Sequence, residues 1–299
     1  MMSNNFKTGF VSFIGRSNVG KSTLLNTILK EKKAIVSNKP QTTRNQIQGI
    51  YNTDDMQVIF FDTPGIHKHN NQLGRLMNRE ASRATKETNI ICLLASCNEY
   101  IGNSDKYIIK LLSERVATTI FLLLTKVDLV TKEQLMIKIN EWKDLLPFKE
   151  VIPISALKNI NLNVFLQKIY QYLPISDKVY FADNMEDAAD DVLIKEIIRE
   201  KILTLTEEEI PYSVAVLIEN INYNVNTNIT NINAIIVVER ESQKGIIIGK
   251  GGSMIKEIGI RARTDLESIF DSHIVLKTFV KVIPDWRNNP QKLKELGYT

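Results

Sequence analysis

A glycine-rich stretch near the amino terminus has the residue types that bind phosphate. It reads G-R-S-N-V-G-K-S from Gly15 to Ser22, follows a short apolar run and precedes a helical pattern. In that context a G-x-x-x-x-G-K-[ST] motif surrounds phosphates with backbone N–H groups. Lys21 can neutralise the β- and γ-phosphates, and the Ser22 hydroxyl can reach Mg²⁺. The stretch predicts a nucleoside triphosphate site, and a plain glycine turn is the alternative.

An aspartate that ends a second apolar run supplies a carboxylate for such a site. Asp62-Thr63-Pro64-Gly65 directly follows residues 58–61. Beside a phosphate loop, this carboxylate can hold Mg²⁺, usually through water, and the glycine N–H can reach the γ-phosphate. An isolated tetrapeptide of this kind would be an ordinary turn. Its place in the chain favours the nucleotide role.

A polar loop, K-P-Q-T-T-R from Lys39 to Arg44, carries two threonines. A threonine that joins Mg²⁺ only when the γ-phosphate is present would order this loop with GTP and release it after hydrolysis. We favour Thr43 over Thr42, because Thr43 directly precedes Arg44 and the following strand. The alternative is a polar loop with no such role.

Two further strand ends predict which base is bound. Asp128 comes shortly after the run 118–124 and can accept both N–H donors of a guanine edge, which adenine cannot supply. Lys126 can lay its aliphatic stem over the base. Residues 155–157 follow the run 151–153 and can place a backbone N–H at the guanine carbonyl. Five loops in this order predict a guanine-nucleotide domain.

The predicted site is as follows. The nucleotide-binding residues are Gly15, Arg16, Ser17, Asn18, Val19, Gly20, Lys21, Ser22, Thr23, Asp62, Thr63, Pro64, Gly65, Thr125, Lys126, Asp128, Ser155, Ala156 and Leu157. The magnesium ligands are Ser22, Thr43 and Asp62, and the catalytic residues are Asn18, Lys21, Thr43 and Gly65.

The residue after the D-T-P-G motif cannot orient water. It is Ile66, where Ras-like enzymes carry a glutamine. Another group must then offset charge and position the nucleophile, and we predict Asn18. Its carbonyl oxygen could help hold a K⁺ ion between the phosphates, in the role of an arginine finger. The alternative is that Asn18 only braces the loop backbone.

The elements that position these loops alternate between strand and helix from Thr8 to about Leu173. Apolar runs at 57–61, 90–95, 118–124 and 151–153 are separated by helical patterns at 73–86, 105–112, 131–142 and 162–172. This alternation is typical of an α/β domain with a mostly parallel sheet, in which ligands bind beyond the carboxyl ends of the strands. We assign residues 1–173 to this domain and 174–191 to an acidic linker.

Residues 192–299 read as a smaller α+β domain. A helix at 192–205 precedes strands at 212–219 and 234–239, then two helices around a glycine loop, and a strand at 274–283. That order is typical of a type II KH domain, whose glycine loop clamps about four nucleotides of single-stranded RNA. Glycine pairs also end many helices, which is the alternative. The predicted RNA-binding residues are Lys244, Gly249, Lys250, Gly251, Gly252, Arg261 and Arg263.

The segment 220–233 contains seven asparagines that alternate with apolar residues. This composition fits an extended hairpin or a disordered insertion, and the sequence does not decide between them.

Charge is distributed unevenly along the chain. Residues 1–174 carry 23 Lys/Arg and 14 Asp/Glu, residues 175–239 carry 4 and 13, and residues 240–299 carry 11 and 7. The net charges are therefore +9, −9 and +4. A basic last segment suits a polyanion partner, although a solvated face would look the same.

The composition is that of a globular protein, with 299 residues of which 43% are hydrophobic and 24% charged. No apolar run is long enough for a transmembrane helix, and residues 1–7 lack the core of a signal peptide. The two cysteines, Cys92 and Cys97, form no disulfide framework. We therefore expect a cytoplasmic location.

Taken together, the two halves resemble the Era family of bacterial GTPases. The five nucleotide motifs occur in that family's order, and the resemblance extends through the carboxyl-terminal domain. The motifs there are E-R-E-S-Q-K-G at 239–245, G-I-R-A-R at 259–263, V-K-V at 280–282, W-R at 286–287 and L-G-Y at 296–298. These carboxyl-terminal motifs are more diagnostic than the nucleotide loops, which many families share.

The resemblance implies GTP hydrolysis coupled to binding of the 3′ end of 16S ribosomal RNA in assembly of the 30S subunit. It also implies a monomer with loose, peripheral association with the inner membrane. Three features depart from the family pattern. Ser17 replaces a proline, Thr125 replaces an asparagine that braces the base pocket, and the asparagine-rich segment has no assigned counterpart.

Three functions compete at this point. The first is an RNA-binding GTPase switch, in which GTP orders the loops at Thr43 and Gly65. The second is an RNA-binding protein that senses GDP and GTP with little turnover, a reading that Ile66 and Thr125 keep open. The third is a tRNA-modification GTPase, which the KH-like end and the lack of a cysteine near the carboxyl terminus disfavour.

Base specificity is directly testable. Asp128→Asn should weaken GTP binding strongly and improve binding of xanthosine triphosphate, because the amide matches the edge of xanthine instead of guanine. Competition binding with the two nucleotides measures this exchange. An unchanged preference for GTP would reject the role of Asp128.

Overall fold

The computed structural model describes residues 5–66, 71–86, 88–114, 118–179, 186–224 and 226–298. Its strands are β1 Lys7–Gly15, β2 Ile47–Asn52, β3 Met56–Asp62, β4 Ile90–Ser96, β5 Thr119–Thr125, β6 Glu150–Pro153, β7 Ala215–Asn224, β8 Ile229–Val238 and β9 His273–Val282. Its helices are α1 Lys21–Leu29, α2 Gln72–Ala84, α3 Asn103–Ser113, α4 Lys132–Trp142, α5 Leu162–Tyr172, α6 Glu186–Leu205, α7 Ile210–Ser213, α8 Glu241–Ile248, α9 Ser253–Phe270 and α10 Pro290–Glu295.

Contacts divide the chain into two compact units that are not continuous in sequence. In its described parts the first unit consists of residues 5–34, 43–66 and 77–179. The second consists of residues 35–42, 71–76 and 186–298. The segment just ahead of Thr43 therefore belongs to the second unit, which differs from a division at a single linker.

The first unit is built on a six-stranded sheet in the order β2-β3-β1-β4-β5-β6. β2 runs antiparallel to β3, and the other neighbours are parallel. Successive residues of β1 face opposite sides, so Phe13 joins a core with α1 and α5, whereas Ile14 joins a core with α3 and α4. The predicted α/β fold with a mostly parallel sheet is confirmed.

The strand ends bring the nucleotide motifs to one edge of this sheet. β1 ends at Gly15, β3 at Asp62, β5 at Thr125 and β6 at Pro153. Because β1, β3, β5 and β6 run in the same direction, the loops that leave them lie at their common carboxyl edge.

The beginning of the predicted linker runs beside β1. The Thr8 N–H donates to the Pro174 carbonyl (3.2 Å), and the Ser176 N–H donates to the Phe6 carbonyl (3.0 Å). Residues 180–185 of that linker lie outside the described residues. The first helix after the linker, α6, begins at Glu186, six residues before the predicted start at Val192.

The second unit has a three-stranded sheet in the order β7-β8-β9. β7 and β8 are antiparallel, and β8 and β9 are parallel. Alternate residues of β8, Ile232, Ala234 and Ile236, are buried in one core with α6, α8 and α9. This is the predicted small α+β domain with a type II KH order.

Two details of the second unit differ from the sequence-based expectation. Tyr212 and Ser213 belong to α7 rather than to a strand, because Pro211 stands in the first turn of a helix, where its missing N–H costs nothing. The asparagine-rich segment is a hairpin, since Asn220 pairs with Asn233 and Asn222 pairs with Asn231.

The carboxyl-terminal segment closes the second unit in a way that no periodicity predicted. Trp286 is fully buried and donates its Nε1–H to the Ser213 carbonyl (3.0 Å). The Tyr298 ring stacks on the Trp286 indole with a 6.0 Å centroid distance. Arg287 makes a two-pronged ion pair with Glu239. The W-R and L-G-Y motifs thus have packing roles.

Among the described residues, no helix combines the length and the apolar character needed to cross a bilayer.

Candidate nucleotide and RNA sites

The phosphate loop holds a buried lysine at the start of α1. Gly20 caps the helix with a left-handed backbone (φ 101°). The Lys21 Nζ donates to the carbonyls of Arg16 (2.8 Å) and Gly15 (3.2 Å). Burial lowers the pKa of Lys21 to about 8, against the opposing effect of the Asp62 carboxylate. An anionic phosphate would favour the charged form.

Three side-chain oxygens meet beside this lysine. The Ser22 hydroxyl donates to Asp62 Oδ2 (2.5 Å) and lies 2.9 Å from Thr43 Oγ1. Thr43 Oγ1 is 3.5 Å from the same carboxylate oxygen. Hydroxyl and carboxylate oxygens are the hard ligands that Mg²⁺ accepts, so this donor set fits the ion.

The neighbouring threonine is directed elsewhere. The Thr42 hydroxyl donates to the Lys39 carbonyl (2.6 Å), inside its own loop. The structure therefore brings Thr43, and not Thr42, to the oxygen cluster.

Gly65 lies against the phosphate loop so closely that no side chain fits. A Cβ atom at this position would be 2.5 Å from Ser17 Oγ and 2.6 Å from Ser17 N. The Thr63 hydroxyl anchors the same turn by donating to the Phe13 carbonyl (2.7 Å). The Gly65 backbone is thus held where its N–H could serve a γ-phosphate.

Ile66 does not face the site. Its N–H donates to the Gly15 carbonyl (3.2 Å), and its side chain is buried in the core that contains α3 and α4. The position occupied by a glutamine in Ras-like enzymes therefore contributes packing here.

Asn18 has an unusual backbone conformation within the phosphate loop. Its φ of 63° lies in the left-handed region, which asparagine tolerates better than most L-residues. Asn18 therefore contributes to the conformation of the loop backbone, independently of any contact between its side chain and a cation.

The base end of the site is joined to the phosphate loop by Thr125. Its buried hydroxyl lies 2.7 Å from the Val19 carbonyl and 3.2 Å from the Ala95 carbonyl. A hydroxyl has one hydrogen, so it donates to one of these at a time, and Val19 is the better placed. Thr125 thus retains part of the bracing that an asparagine amide would provide.

The groups expected at the guanine are displayed in neighbouring loops. Asp128 lies exposed in a short turn, Val127–Leu129, which Lys126 begins with a left-handed backbone. Ser155 is buried and its hydroxyl accepts from the Lys158 N–H (3.2 Å). Leu157 is largely exposed.

A charged cluster that the sequence did not reveal links these two ends. The Arg16 guanidinium lies 2.5 Å from Glu99 and 3.1 Å from the buried Asp105. Glu99 is also 3.8 Å from the Lys126 ammonium. The side chain of Arg16 is therefore engaged by carboxylates. Glu99 follows β4 at the same sheet edge as the motifs. That position in the sequence could have indicated that Glu99 lies near the site.

The glycine loop of the second unit lies between α8 and α9. Gly249, Gly251 and Gly252 have φ of 72°, 59° and 79°, which residues with a Cβ rarely adopt. Lys250 is exposed between them. An RNA backbone can approach such a loop closely because three of its four residues have no side chain.

The other predicted RNA-binding residues are arranged less uniformly. Lys244 is half-buried on α8, and Arg263 is exposed on α9. Arg261 forms an exposed ion pair with Glu257 (2.6 Å), which contributes little to stability and leaves the guanidinium accessible.

Two family descriptions match the chain. The family described as "50S ribosome-binding GTPase" matches residues 10–126. The family described as "KH domain" matches residues 209–287.

Two solved structures are similar over nearly the full length. One is an Aquifex aeolicus Era variant bound to GDP and AlF4⁻, with a TM-score of 0.93 and 37% identity over 98% of this chain and 100% of that one. The other is Era in complex with MgGDPNP and nucleotides 1506–1542 of 16S ribosomal RNA, with a TM-score of 0.93 and 37% identity over 98% of this chain and 99% of that one.

We expect the lowered pKa of Lys21 to make nucleotide binding dependent on pH. With a free pKa of about 8 and an ammonium that stays charged against phosphates, binding of GDP should take up about half a proton at pH 8 and about a tenth at pH 7 from this group. Calorimetry in buffers of different ionisation enthalpy measures the uptake. An uptake at pH 8 no greater than that at pH 7 would contradict the titration of Lys21.

Proposed function

The chain belongs to the Era family of GTPases, and from that premise we propose that it couples GTP hydrolysis to binding of the 3′ end of 16S ribosomal RNA in assembly of the 30S subunit. One observation carries the proposal: a cluster of Ser22, Thr43 and Asp62 oxygens beside a buried lysine and an exposed glycine loop of KH type occur in one chain. The complex of Era with 16S RNA nucleotides supports the choice of RNA.

Each residue of the nucleotide site has a defined task in this proposal. Ser22, Thr43 and Asp62 would hold Mg²⁺, which when bound neutralises charge on the β- and γ-phosphate oxygens. Lys21 holds its ammonium against the phosphates, and the Gly65 N–H donates to the γ-phosphate. Because Ile66 is buried, backbone groups and Asn18 would position the attacking water, with K⁺ held by the Asn18 amide oxygen.

The segment ahead of Thr43 provides a route from the nucleotide to the RNA-binding unit. Ile35 is buried in the core of the second unit. The Val36 N–H donates to Glu200 (3.0 Å), and the Gln41 carbonyl accepts from Arg199 (3.2 Å). Ordering of Thr43 by GTP therefore acts on a chain segment whose preceding residues are held by α6, which favours the switch.

Arg199, the α6 residue that donates to the Gln41 carbonyl, is itself held in one orientation. Arg199 is buried and pairs with Glu196 through two contacts, of 2.6 and 3.2 Å. A guanidinium fixed in this way presents its remaining N–H groups in one direction, so the Gln41 carbonyl meets a defined partner.

A sensor of GDP and GTP with little turnover is the second candidate. Its basis is Ile66 together with Thr125. The hydrogen bond from Thr125 to Val19 weighs against a poorly formed nucleotide site, and the family's complex with GDP and AlF4⁻ supports hydrolysis. Phosphate release measured with and without ribosomal RNA separates the two functions.

The cellular setting is an extension of the same proposal. We propose a cytoplasmic monomer that associates peripherally with the inner membrane, on the basis of the family resemblance alone. Fractionation of cells at low and high salt tests the membrane association, since a peripheral protein is released by salt.

The cation role of Asn18 can be separated from its backbone role. The wild type should hydrolyse GTP faster in K⁺ than in Na⁺ at matched ionic strength. Asn18→Gly should erase that difference without backbone strain, because glycine adopts a positive φ freely. Asn18→Ala removes the same amide but adds strain. Equal wild-type rates in both salts would leave water positioning to the backbone.

The RNA site should be separable from the nucleotide site. Replacing Lys250 and Gly251 with Asp puts two negative charges against the RNA backbone, so affinity should fall at least about tenfold. The fold should survive, because a Cβ at Gly251 meets open space and Asp tolerates a positive φ.

Basal GTP hydrolysis in this double variant should persist, while stimulation by RNA should disappear. Filter binding and phosphate release measure the two effects. A folded double variant with wild-type RNA affinity would exclude the glycine loop as the RNA site.

A further inference from the structure

The sheet of the second unit has one face covered by helices and a second face that is exposed in part. On that second face Asn231, Lys277 and Phe279 are exposed, whereas Ala215 and Val237 are buried. Ile232, Ala234 and Ile236 of β8 point into the core with α6, α8 and α9. Side chains alternate along a strand, so Asn233 and Ile235 point to the opposite face, here called the outer face. Residues of β7 and β9 that pair with Asn233 or Ile235 also point to the outer face.

The pairing assigns the outer face row by row. One row contains Leu217, Ile235 and Phe279, and the next contains Asn220, Asn233 and Lys277. A third row contains Asn222, Asn231 and Val275. Lys281 follows Phe279 by two residues and lies on the same face. The asparagine-rich segment thus supplies a surface of amides beside an aromatic ring and two ammonium groups.

This surface carries more lysines than carboxylates, and His273 at one end of the same face pairs with Glu267 of α9 (3.0 Å). β7, β8 and β9 together contain five asparagines, two lysines and a single carboxylate, Glu219, which lies at the bulge of β7. Within the described residues, neither Lys277 nor Lys281 forms an ion pair. Phe279 lies between these lysines on β9 and is 56% exposed.

These groups match the chemistry of single-stranded RNA better than that of a protein partner. An exposed ring offers a platform on which a base can stack. Asparagine amides both donate to and accept from base edges, and lysines neutralise phosphates. The centre of a protein–protein interface would instead be apolar and depleted of charge.

The outer face is also within reach of RNA held by the glycine loop. β9 is an edge strand, and it packs against α8 and α9, the two helices that flank residues 249–252. A strand of RNA leaving that loop can cross the free edge of β9 onto the outer face.

We propose that the outer face of the β7–β8–β9 sheet is a second binding surface for single-stranded RNA, with Phe279 as its stacking platform and Lys277 and Lys281 as its phosphate contacts. The proposal rests on the RNA-binding function of the glycine loop. It extends the length of RNA that the chain holds beyond what that loop clamps.

The test compares RNA length in the full chain. The probes are single-stranded RNAs from the 3′ end of 16S ribosomal RNA, one of about four nucleotides and one about three times as long. Phe279→Ala should weaken binding of the long RNA at least about fivefold and leave the short RNA unaffected. The matched control is Tyr223→Ala, since Tyr223 is 57% exposed but pairs with the buried Thr230, on the opposite face.

The lysines are tested by salt dependence. Replacing Lys277 and Lys281 with Ala should reduce the slope of log affinity against log salt by about 1.4 for the long RNA. Lys294→Ala, an exposed lysine on α10, should leave the slope unchanged. Thermal melting confirms that each variant is folded.

The outcomes distinguish this proposal from the function on which it rests. If the wild type binds neither RNA, the RNA-binding function itself fails. If it binds both but Phe279→Ala changes neither affinity, the outer face is not an RNA surface. If that variant keeps all RNA affinity but co-sediments less with 30S subunits, the face contacts a protein and the proposal is overturned.

Discussion

An ammonium group buried beneath the phosphate loop is the constraint on which the nucleotide site depends. Burial disfavours the charged form of Lys21, and carbonyls of the loop and the Asp62 carboxylate compensate in part. This arrangement requires the Asp62 carboxylate to lie at a fixed position relative to Lys21. The parallel register of β1 and β3 achieves this by pairing Phe13 with Asp62. The sheet thus fixes the distance between the Asp62 and Lys21 charges. A bound phosphate would supply the remaining negative charge that the ammonium needs.

The residues that chemistry requires at fixed spacing were predictable from the sequence. Lys21 and Asp128 follow strands and Asp62 ends one, and parallel strands bring their carboxyl ends together. The α/β fold and the candidate site residues could therefore be predicted from local pattern. The choice of Thr43 over Thr42 could also be made from the sequence, because it depended only on the position of Thr43 directly before Arg44 and the next strand.

Other features depended on contacts between distant residues and left no local signal. The association of Arg16 with Glu99 joins loops 83 positions apart. The helical state of Tyr212 and Ser213 follows from Pro211 and from the buried Trp286 that bonds to the Ser213 carbonyl. The hairpin at 220–233 was undecided because asparagine disfavours strands intrinsically. Burial of Ile232 in the core of the second unit overrides that preference.

The segment containing Ile35 has a consequence for how the chain is made. Val36 and its partner Glu200 are 164 positions apart, and α6 must be synthesised before they can meet. At ordinary translation speeds of about 5–20 residues per second, that interval is roughly 10–30 s. A chain that folds as it emerges from the ribosome therefore completes its phosphate loop while the residues ahead of Thr43 still have no core to enter. Until α6 is synthesised, the nascent protein can form its phosphate loop but cannot anchor the segment ahead of Thr43.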